Sequence, residues 1–421
     1  MSFSNVTKNI YRSSSLIPWM KQGYLNSLEI VKAQGHFIYT EKKQITDFTC
    51  GAMVVSLGHN NAHVQNSIMD HLKTGIAYVP SNFSTINRDY LSDRLVDLSN
   101  FPKGKVLYGN GGADANEMAC FLAQEYQGLN NKSSSRILSF QQSFHGGSTI
   151  GASLISGDAR RVTKSKYYCL PWEPIMPNPN WLDNGESSLE EISNLLDDSV
   201  SGILVEGSSG SAGCILYPEG YLKKLENLCL EKDILLICDE VMSGFGRTGS
   251  FWAHQKQDIK PDIITCAKAL TSGYTQLSGI ILNDRVSEVF QENPVMCGLT
   301  YSGHPLACTV ANRCLDLYLD NDMILLDNVN EKSILLNKLG NQIANKYDFV
   351  KEYRNNGFLG CLEFNLPEEK LVEVSNLLLK NNIYCMRIRH NIFTSPMLGI
   401  DESLLEESMN QIDTALSQLE N

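Results

Sequence analysis

Lys268 follows the apolar run Ile263-Ile264-Thr265-Cys266-Ala267 and precedes a small polar turn, Thr271-Ser272-Gly273. Consecutive apolar, β-prone positions of that length read as a strand buried on both faces. A lysine at such a strand end can snorkel to water. It can also enter an apolar cleft, where desolvation lowers the amine's pKa and makes it a usable nucleophile. Asp239 and Glu240 end another strongly apolar run, ILLICDE, where an unpaired acid would be costly. Alone, Asp239 could equally be a helix cap or half of an ion pair. In open parallel sheets, however, ligands bind in the crevice at the carboxyl ends of strands. An acid and an amine flanking one crevice suit a cationic heteroaromatic cofactor held as a Schiff base.

Two more stretches could complete such a site. Asn110-Gly111-Gly112-Ala113 joins a strand-like run to a helical one. Glycines there let backbone N–H groups approach a ligand, and a helix N-terminus favours an anion, so this is a candidate phosphate seat. A tight turn needs the same glycines. Asp114 and Glu117 in the first turn complement the helix dipole. Phe144-His145-Gly146-Gly147 offers an aromatic face beside flexible backbone, suited to stacking on a ring or simply to a core. GFGRTG lacks the Gly-Lys-Ser/Thr ending of a nucleotide loop. No G-x-S-x-G, H-E-x-x-H, EF-hand or C-x-x-C pattern occurs, so hydrolase chemistry and a metal site are not expected.

The elements that must position these residues alternate. KVLYGN, RILSF, GILVEG, ILLICDEV, DIITCAK and GIILN read as strands. Amphipathic helices lie among them: one with Val64, Ile68 and Leu72 on a face, one with Met118, Phe121 and Leu122, and one with Leu222, Leu225, Cys229 and Leu230 inward. This pattern means an α/β protein with a mainly parallel sheet. From about Leu306 a long helical region runs to Ala344, followed by short strands FLGCLEFNL, IYCMRI and NIFTSP. The expected organisation is a large domain over residues 50–310 and a smaller α+β domain built from 1–49 and 311–421.

With 421 residues the chain can bury a substantial core. Its net charge of −12 argues against nucleic acid or an anionic membrane as the main partner. No run is long and apolar enough to span a bilayer. Several of the twelve cysteines sit inside apolar segments, which suits a reducing compartment. The start, MSFSNVTKNIYRSSS, has the serines of a transit peptide but few arginines, so a cytoplasmic location is expected.

Together, and in this order, these stretches resemble the class III (omega) aminotransferases, pyridoxal-phosphate enzymes of fold type I. The resemblance runs from about Gly35 to Leu416. It is densest in LLICDEVMSGFGRTGSFWAHQKQDIKPDIITCAKALTSGY, which follows the family signature almost continuously. The resemblance implies pyridoxal 5'-phosphate as cofactor, bound to Lys268 as a Schiff base. It implies that Asp239 pairs with the ring nitrogen, Val241 packs beneath the ring, and Phe144, at a position often Tyr, stacks above it. Gly111, Gly112 and Ala113 would supply phosphate-binding amides, and Glu206 would lie near the ring. Thr300, in GLTYSGHPLAC, would reach the phosphate of a neighbouring subunit, implying a homodimer with active sites at the interface. Arg387 or Arg389 would bind a substrate anion, and Met53, near a position often Trp, would lie in the substrate pocket.

GGADANE and SGDARR look most like the taurine:pyruvate and taurine:2-oxoglutarate subgroup. The implied reaction moves an amino group from an omega-amino compound (taurine-like, β-alanine-like or another primary amine) to a keto acid such as pyruvate or 2-oxoglutarate. The chain departs from the pattern at Asp114 (usually Glu), Ala269 (usually Gly) and Gln276-Leu277-Ser278 (usually Pro-Leu-Gly), which bears on the substrate. The rival readings are an aminomutase, racemase or decarboxylating relative on the same fold, and a catalytically silent binding protein that keeps the cofactor fold.

Overall fold

The structure is a computed structural model, and it describes residues 16, 18, 28–157 and 159–419. The serine-rich start, apart from Leu16, and Asp158 of SGDARR lie outside the described residues. Near the N-terminus, β1 (Lys32–Gln34), β2 (Phe37–Tyr39) and β3 (Gln44–Asp47) form an antiparallel meander.

The large sheet follows: β4 (Lys105–Gly109), β5 (Arg136–Phe140), β6 (Trp172–Met176), β7 (Val200–Glu206), β8 (Leu235–Asp239), β9 (Ile263–Cys266) and β10 (Ser278–Leu282). Their spatial order is β4-β10-β9-β8-β7-β5-β6. Only β10 runs against its neighbours. Every residue of β7, β8, β9 and β10 is buried, as unbroken apolar strands covered on both faces should be. The pleat sends alternate residues to opposite sides. Leu204, Leu235 and Ile237 join the helix Gly112–Leu129 in one core. Ile203, Val205 and Leu236 join the helices Glu186–Leu195 and Tyr221–Lys232 in the other.

The C-terminal part contains β11 (Val350–Asn356), β12 (Leu359–Phe364), β13 (Ile383–Tyr384), β14 (Arg387–Ile388) and β15 (Asn391–Thr394). Four of these pair in the order β11-β12-β15-β14, while β13 lies parallel to β3. The run IYCMRI is therefore split between two sheets, and its first half ties the C-terminal part to the N-terminal meander. The long helix Pro305–Lys346 is interrupted by left-handed backbone at Asp322 and Met323.

Two expected helix faces shift. In the helix Ala62–Lys73 the buried side chains are Val64, Ser67 and His71, while Leu72 is 58% exposed. The cause is His71, whose ring bonds Thr309 Oγ1 on the long helix and the carbonyl of Ile76, each at 3.0 Å. Leu230 likewise faces outward, and Glu226 joins the buried side instead, accepting the Lys260 N–H at 2.7 Å. In the large sheet and the C-terminal sheet, two strands escaped the sequence reading. β6 is an edge strand interrupted by Pro174, and β11 exposes much of its polar VKEYRNN.

Candidate active site

Five strands of the large sheet deliver residues to one cavity of about 450 Å³ at their carboxyl ends. β4 is followed by residues 110–113, β5 by 144–148, β7 ends on Glu206, β8 on Asp239, and β9 leads to Lys268. Glu206 registers with Asp239, and Asp239 with Thr265, so three adjacent strand ends meet the cavity side by side. The sheet thus brings together Gly111, Gly112, Ala113, Phe144, Glu206, Asp239, Val241 and Lys268, all of which line the cavity.

Lys268 is half-buried and opens a short 3₁₀ turn with φ +35°, a conformation uncommon for a long side chain. Burial holds its amine below the ordinary lysine range, against the opposing pull of Asp239 and Glu206. Glu206 is pushed the other way, up to about 7, because burial outweighs the charge of nearby His145. Its carboxylate accepts only a long bond from the Gly210 N–H, at 3.3 Å.

Asp239 is fixed by three donors. Its Oδ2 accepts from Asn116 Nδ2 at 2.7 Å and from His145 Nδ1 at 2.8 Å, and its Oδ1 accepts from the Val241 N–H at 2.9 Å. Asn116 is oriented in turn by the Thr265 hydroxyl, which donates to its Oδ1 at 2.6 Å. Asn116 and His145 were not singled out from the sequence. The available signal was adjacency: Asn116 sits one helical turn after Gly112, and His145 follows Phe144. His145 Nε2 is buried and has no partner among the described residues.

At the helix Gly112–Leu129, Asp114 Oδ2 accepts the N–H groups of Asn110 and Gly111, at 3.2 and 3.1 Å. The Gly111 amide is thereby engaged within the protein, leaving the first-turn amides of Gly112 and Ala113 for an anion. Glu117 also does more than complement the dipole: it accepts from the Gly151 and Ala152 N–H groups at 2.6 and 3.2 Å, holding the helix that follows the Phe144 loop. A Cβ at Gly112 would stand 2.7 Å from Val241 Cγ1, so only glycine lets the amide turn and the Val241 wall close together.

Four expected site residues lie outside this cavity within the chain. Met53 is buried one layer back, against Cys214, Leu359, Cys361 and Phe393, and its neighbour Val54 lines the cavity instead. Arg387 forms a two-bond pair with Glu368, at 2.8 and 3.1 Å. Arg389 lines a different groove. Thr300 is exposed, and its carbonyl accepts from the Tyr78 hydroxyl at 2.9 Å. Met242, Ser208, Ser211 and Tyr274 line the cavity without having been foreseen, beside Gln276 of the departing Gln276-Leu277-Ser278 stretch.

The donor set fits pyridoxal phosphate: an amine for its aldehyde, a fixed carboxylate for its ring nitrogen, free helix-start amides for its phosphate, and Phe144 and Val241 for its faces. That fold and site define a pyridoxal-phosphate enzyme of fold type I. The chain belongs to the class III aminotransferases, whose family model matches residues 20–416. Its curated relatives include the mitochondrial acetylornithine aminotransferase of Candida glabrata, 30% identical over 90% of this chain and 87% of that one. Among solved structures it resembles the taurine:2-oxoglutarate aminotransferase of Bifidobacterium kashiwanohense, in complex with the cofactor and glutamate. That match has 30% identity and a TM-score of 0.91, covering 100% of this chain and 99% of that one. The fold is shared with an (S)-enantioselective omega-transaminase from Thermomicrobium roseum, at 24% identity and TM-score 0.92, covering 100% and 99% of the two chains. Among the described residues, no helix is long and apolar enough to cross a membrane.

Proposed function

We propose that this aminotransferase takes the amino group from a terminal carbon of its donor, an omega-amino compound, and passes it to pyruvate or 2-oxoglutarate. The observation that carries the reading is the facing of Lys268 and Asp239 at the ends of neighbouring strands, beside open helix-start amides. Two comparisons support the donor class. Taurine and acetylornithine, named for a solved and a curated relative, both carry their reacting amine on a terminal carbon.

When bound, pyridoxal phosphate supplies a cationic ring that takes up the electrons released when a proton leaves the donor carbon. Lys268 Nζ removes that proton and returns it at the neighbouring atom; burial, which lowers its pKa, favours the free amine that this step needs. Asp239 would hold the proton on the ring nitrogen, and Asn116 and His145 fix the orientation of its carboxylate. Gly112 and Ala113 would hold the phosphate with their amides, Phe144 and Val241 would pack against the ring, and Glu206, pushed up to about 7, would lie beside it.

The active unit is a homodimer in which Thr300 of each chain serves the other's phosphate. Supporting this, the Thr300 carbonyl is held by Tyr78, within a segment that exposes Leu72, Ile76, Phe83 and Ile86. The location proposed is cytoplasmic, in keeping with twelve cysteines none of which is in a disulfide; the Candida glabrata relative is named mitochondrial.

The test is a donor panel (taurine, β-alanine, diamines and aryl-ethylamines) run against both keto acids. Amino transfer that requires the acceptor, in a protein with the visible absorption of lysine-bound cofactor, is the expected result. Donor turnover without any keto acid, or a protein that stays colourless with added pyridoxal phosphate, would overturn the reading.

A further inference from the structure

A second concavity, of about 630 Å³, lies between the 212–216 stretch and the β14–β15 hairpin. It shares no lining residue with the Lys268 cavity. Three cationic side chains, Lys351, Arg354 and Arg389, face two carboxylates there, Glu352 and Glu363. Both carboxylates are already matched. Glu363 accepts from Lys351 and Arg354, each at 2.7 Å, and Glu352 pairs with Arg354. Arg354 is further tied to the protein by its Nε, which donates to the Gly213 carbonyl at 2.9 Å. Arg389 remains. Among the described residues its guanidinium has no hydrogen-bond or ion-pair partner, whereas Arg387, two positions earlier, closes on Glu368. The groove is therefore one positive charge in excess, in a chain whose net charge is −12.

The backbone under Arg389 is informative. Ile388 pairs with Asn391, so Arg389-His390 is a two-residue hairpin turn. Such turns need positive φ, which is why glycine and asparagine predominate in them. Arg389 takes φ +53° nonetheless. Among the described residues, Lys268 is the other long cationic side chain held in left-handed backbone, and it faces the interior of its own cavity. Backbone strain kept by a long charged residue points to a use for that side chain. The opposite wall supplies what a salt bridge alone would not need: the half-exposed indole of Trp181, with Ile215 and Leu216.

We propose that this groove binds a carboxylate with a flat apolar body, the carboxylate held by the guanidinium of Arg389 and the body laid against Trp181, Ile215 and Leu216. A guanidinium fork matches a carboxylate in two parallel bonds, and an indole face accepts a planar apolar group. The site stands apart from the aminotransferase chemistry but leans on one loop with it. Ser208 and Ser211 face Lys268, while Ala212, Ile215 and Leu216 face the groove. Gly213 between them is pressed so closely by Asn391 that a Cβ there would sit 2.8 Å from its amide.

Benzoate is the probe. Titrated into the holoenzyme, it quenches Trp181 fluorescence saturably; Trp181→Phe removes that signal and so assigns it. Arg389→Gly suits the left-handed turn, so it keeps or raises the Tm while weakening benzoate at least about tenfold, the loss of a charged hydrogen-bond pair. Benzamide, the same ring without the charge, loses a similar factor. Arg389→Asn, also at ease in this backbone, is the second variant should the glycine chain fail to fold. An unchanged midpoint in the folded variant, no saturable quench in the wild type, or quenching that survives in Trp181→Phe would each overturn the proposal. A benzoate effect confined to the cofactor's visible band would place the probe at Lys268 and overturn it too.

Discussion

The two sides of the Lys268 cavity are built from different materials. The strand-end side is polar and tied by hydrogen bonds: Asp239 has three donors, Asn116 is itself oriented by Thr265, and Asp114 closes the turn before the helix-start amides. Behind the opposite wall lies a soft apolar cluster. Met53, Cys214 and Cys361 are fully buried there with Leu359 and Phe393, and Met242, Met386 and Ile388 pack against them. Five of those eight side chains carry sulfur. Rigid hydrogen-bonded groups suit a cofactor that must be held in one plane, since catalysis gains from donors that need no reorganisation. Polarizable, unbranched side chains suit a surface that must fit differing substrates. We propose on this contrast that the strand ends set the reaction type and that the sulfur-rich wall, through Met242, sets substrate choice.

The sharpest way to break this division is Lys268→Ala. It should remove the visible absorption of lysine-bound cofactor and lower turnover by at least about 10³-fold with every donor, since general base and attachment point are lost together. An effect that varied strongly from donor to donor would contradict the assignment. Asp239→Asn comes next. It keeps the shape but sets an amide against the donors of His145, Asn116 and Val241, and it cannot hold the ring proton. A fall of about 10² to 10³ in kcat, again uniform across donors, is expected by analogy with removing one preorganised electrostatic contact.

Glu206 offers a test through pH. Its carboxyl, pushed from the usual 4.5 up to about 7 by burial, keeps a proton in the folded chain that the unfolded chain has released. Stability is then fullest below about 4.5 and declines as pH rises through 7. The full cost is at most about 3 kcal/mol for a shift of this size. Glu206→Gln in the cofactor-free protein should flatten that decline, so the variant gains on the wild type between pH 5 and 8 in denaturant melts. A parallel pair of stability curves would show that Glu206 is ionised already in the fold.

The two sides also differ in how well they could be read from the chain. Lys268, Asp239 and the glycine turn stand at the ends of short apolar runs, so local pattern placed them on strand ends and the strands placed them together. What needed three dimensions was missed. His145 and Asn116 reach Asp239 from 94 and 123 positions away. Met53 was expected beside the substrate and lies a layer behind Val54, because left-handed backbone at Cys50, Gly51 and Met53 turns the segment. Arg387 was expected on a substrate anion, but the first turn of the helix Glu368–Lys380 brings Glu368 against it. Polar partners drawn from distant elements leave no periodicity for a sequence reading to find.

Met242 gives the finest test, because it is the member of the sulfur cluster that lines the cavity. It adjoins Val241, which grips the ring, yet its own side chain turns toward the loop after β7. A Cβ at Gly210 would fall 1.9 Å from its sulfur, so that loop lies directly on it. Met242→Ala should open the wall without touching Asp239, its three donors or the phosphate amides. If substrate choice resides here, the variant keeps the cofactor's absorption and retains turnover with bulky donors. Its ratio of kcat/KM between a small donor such as β-alanine and an aryl-ethylamine should move by about tenfold or more, the scale on which hydrophobic walls discriminate by size. A uniform loss across the panel would instead mean that Met242 supports the ring through Val241. The division between the two sides would then have to be drawn one residue further along the chain.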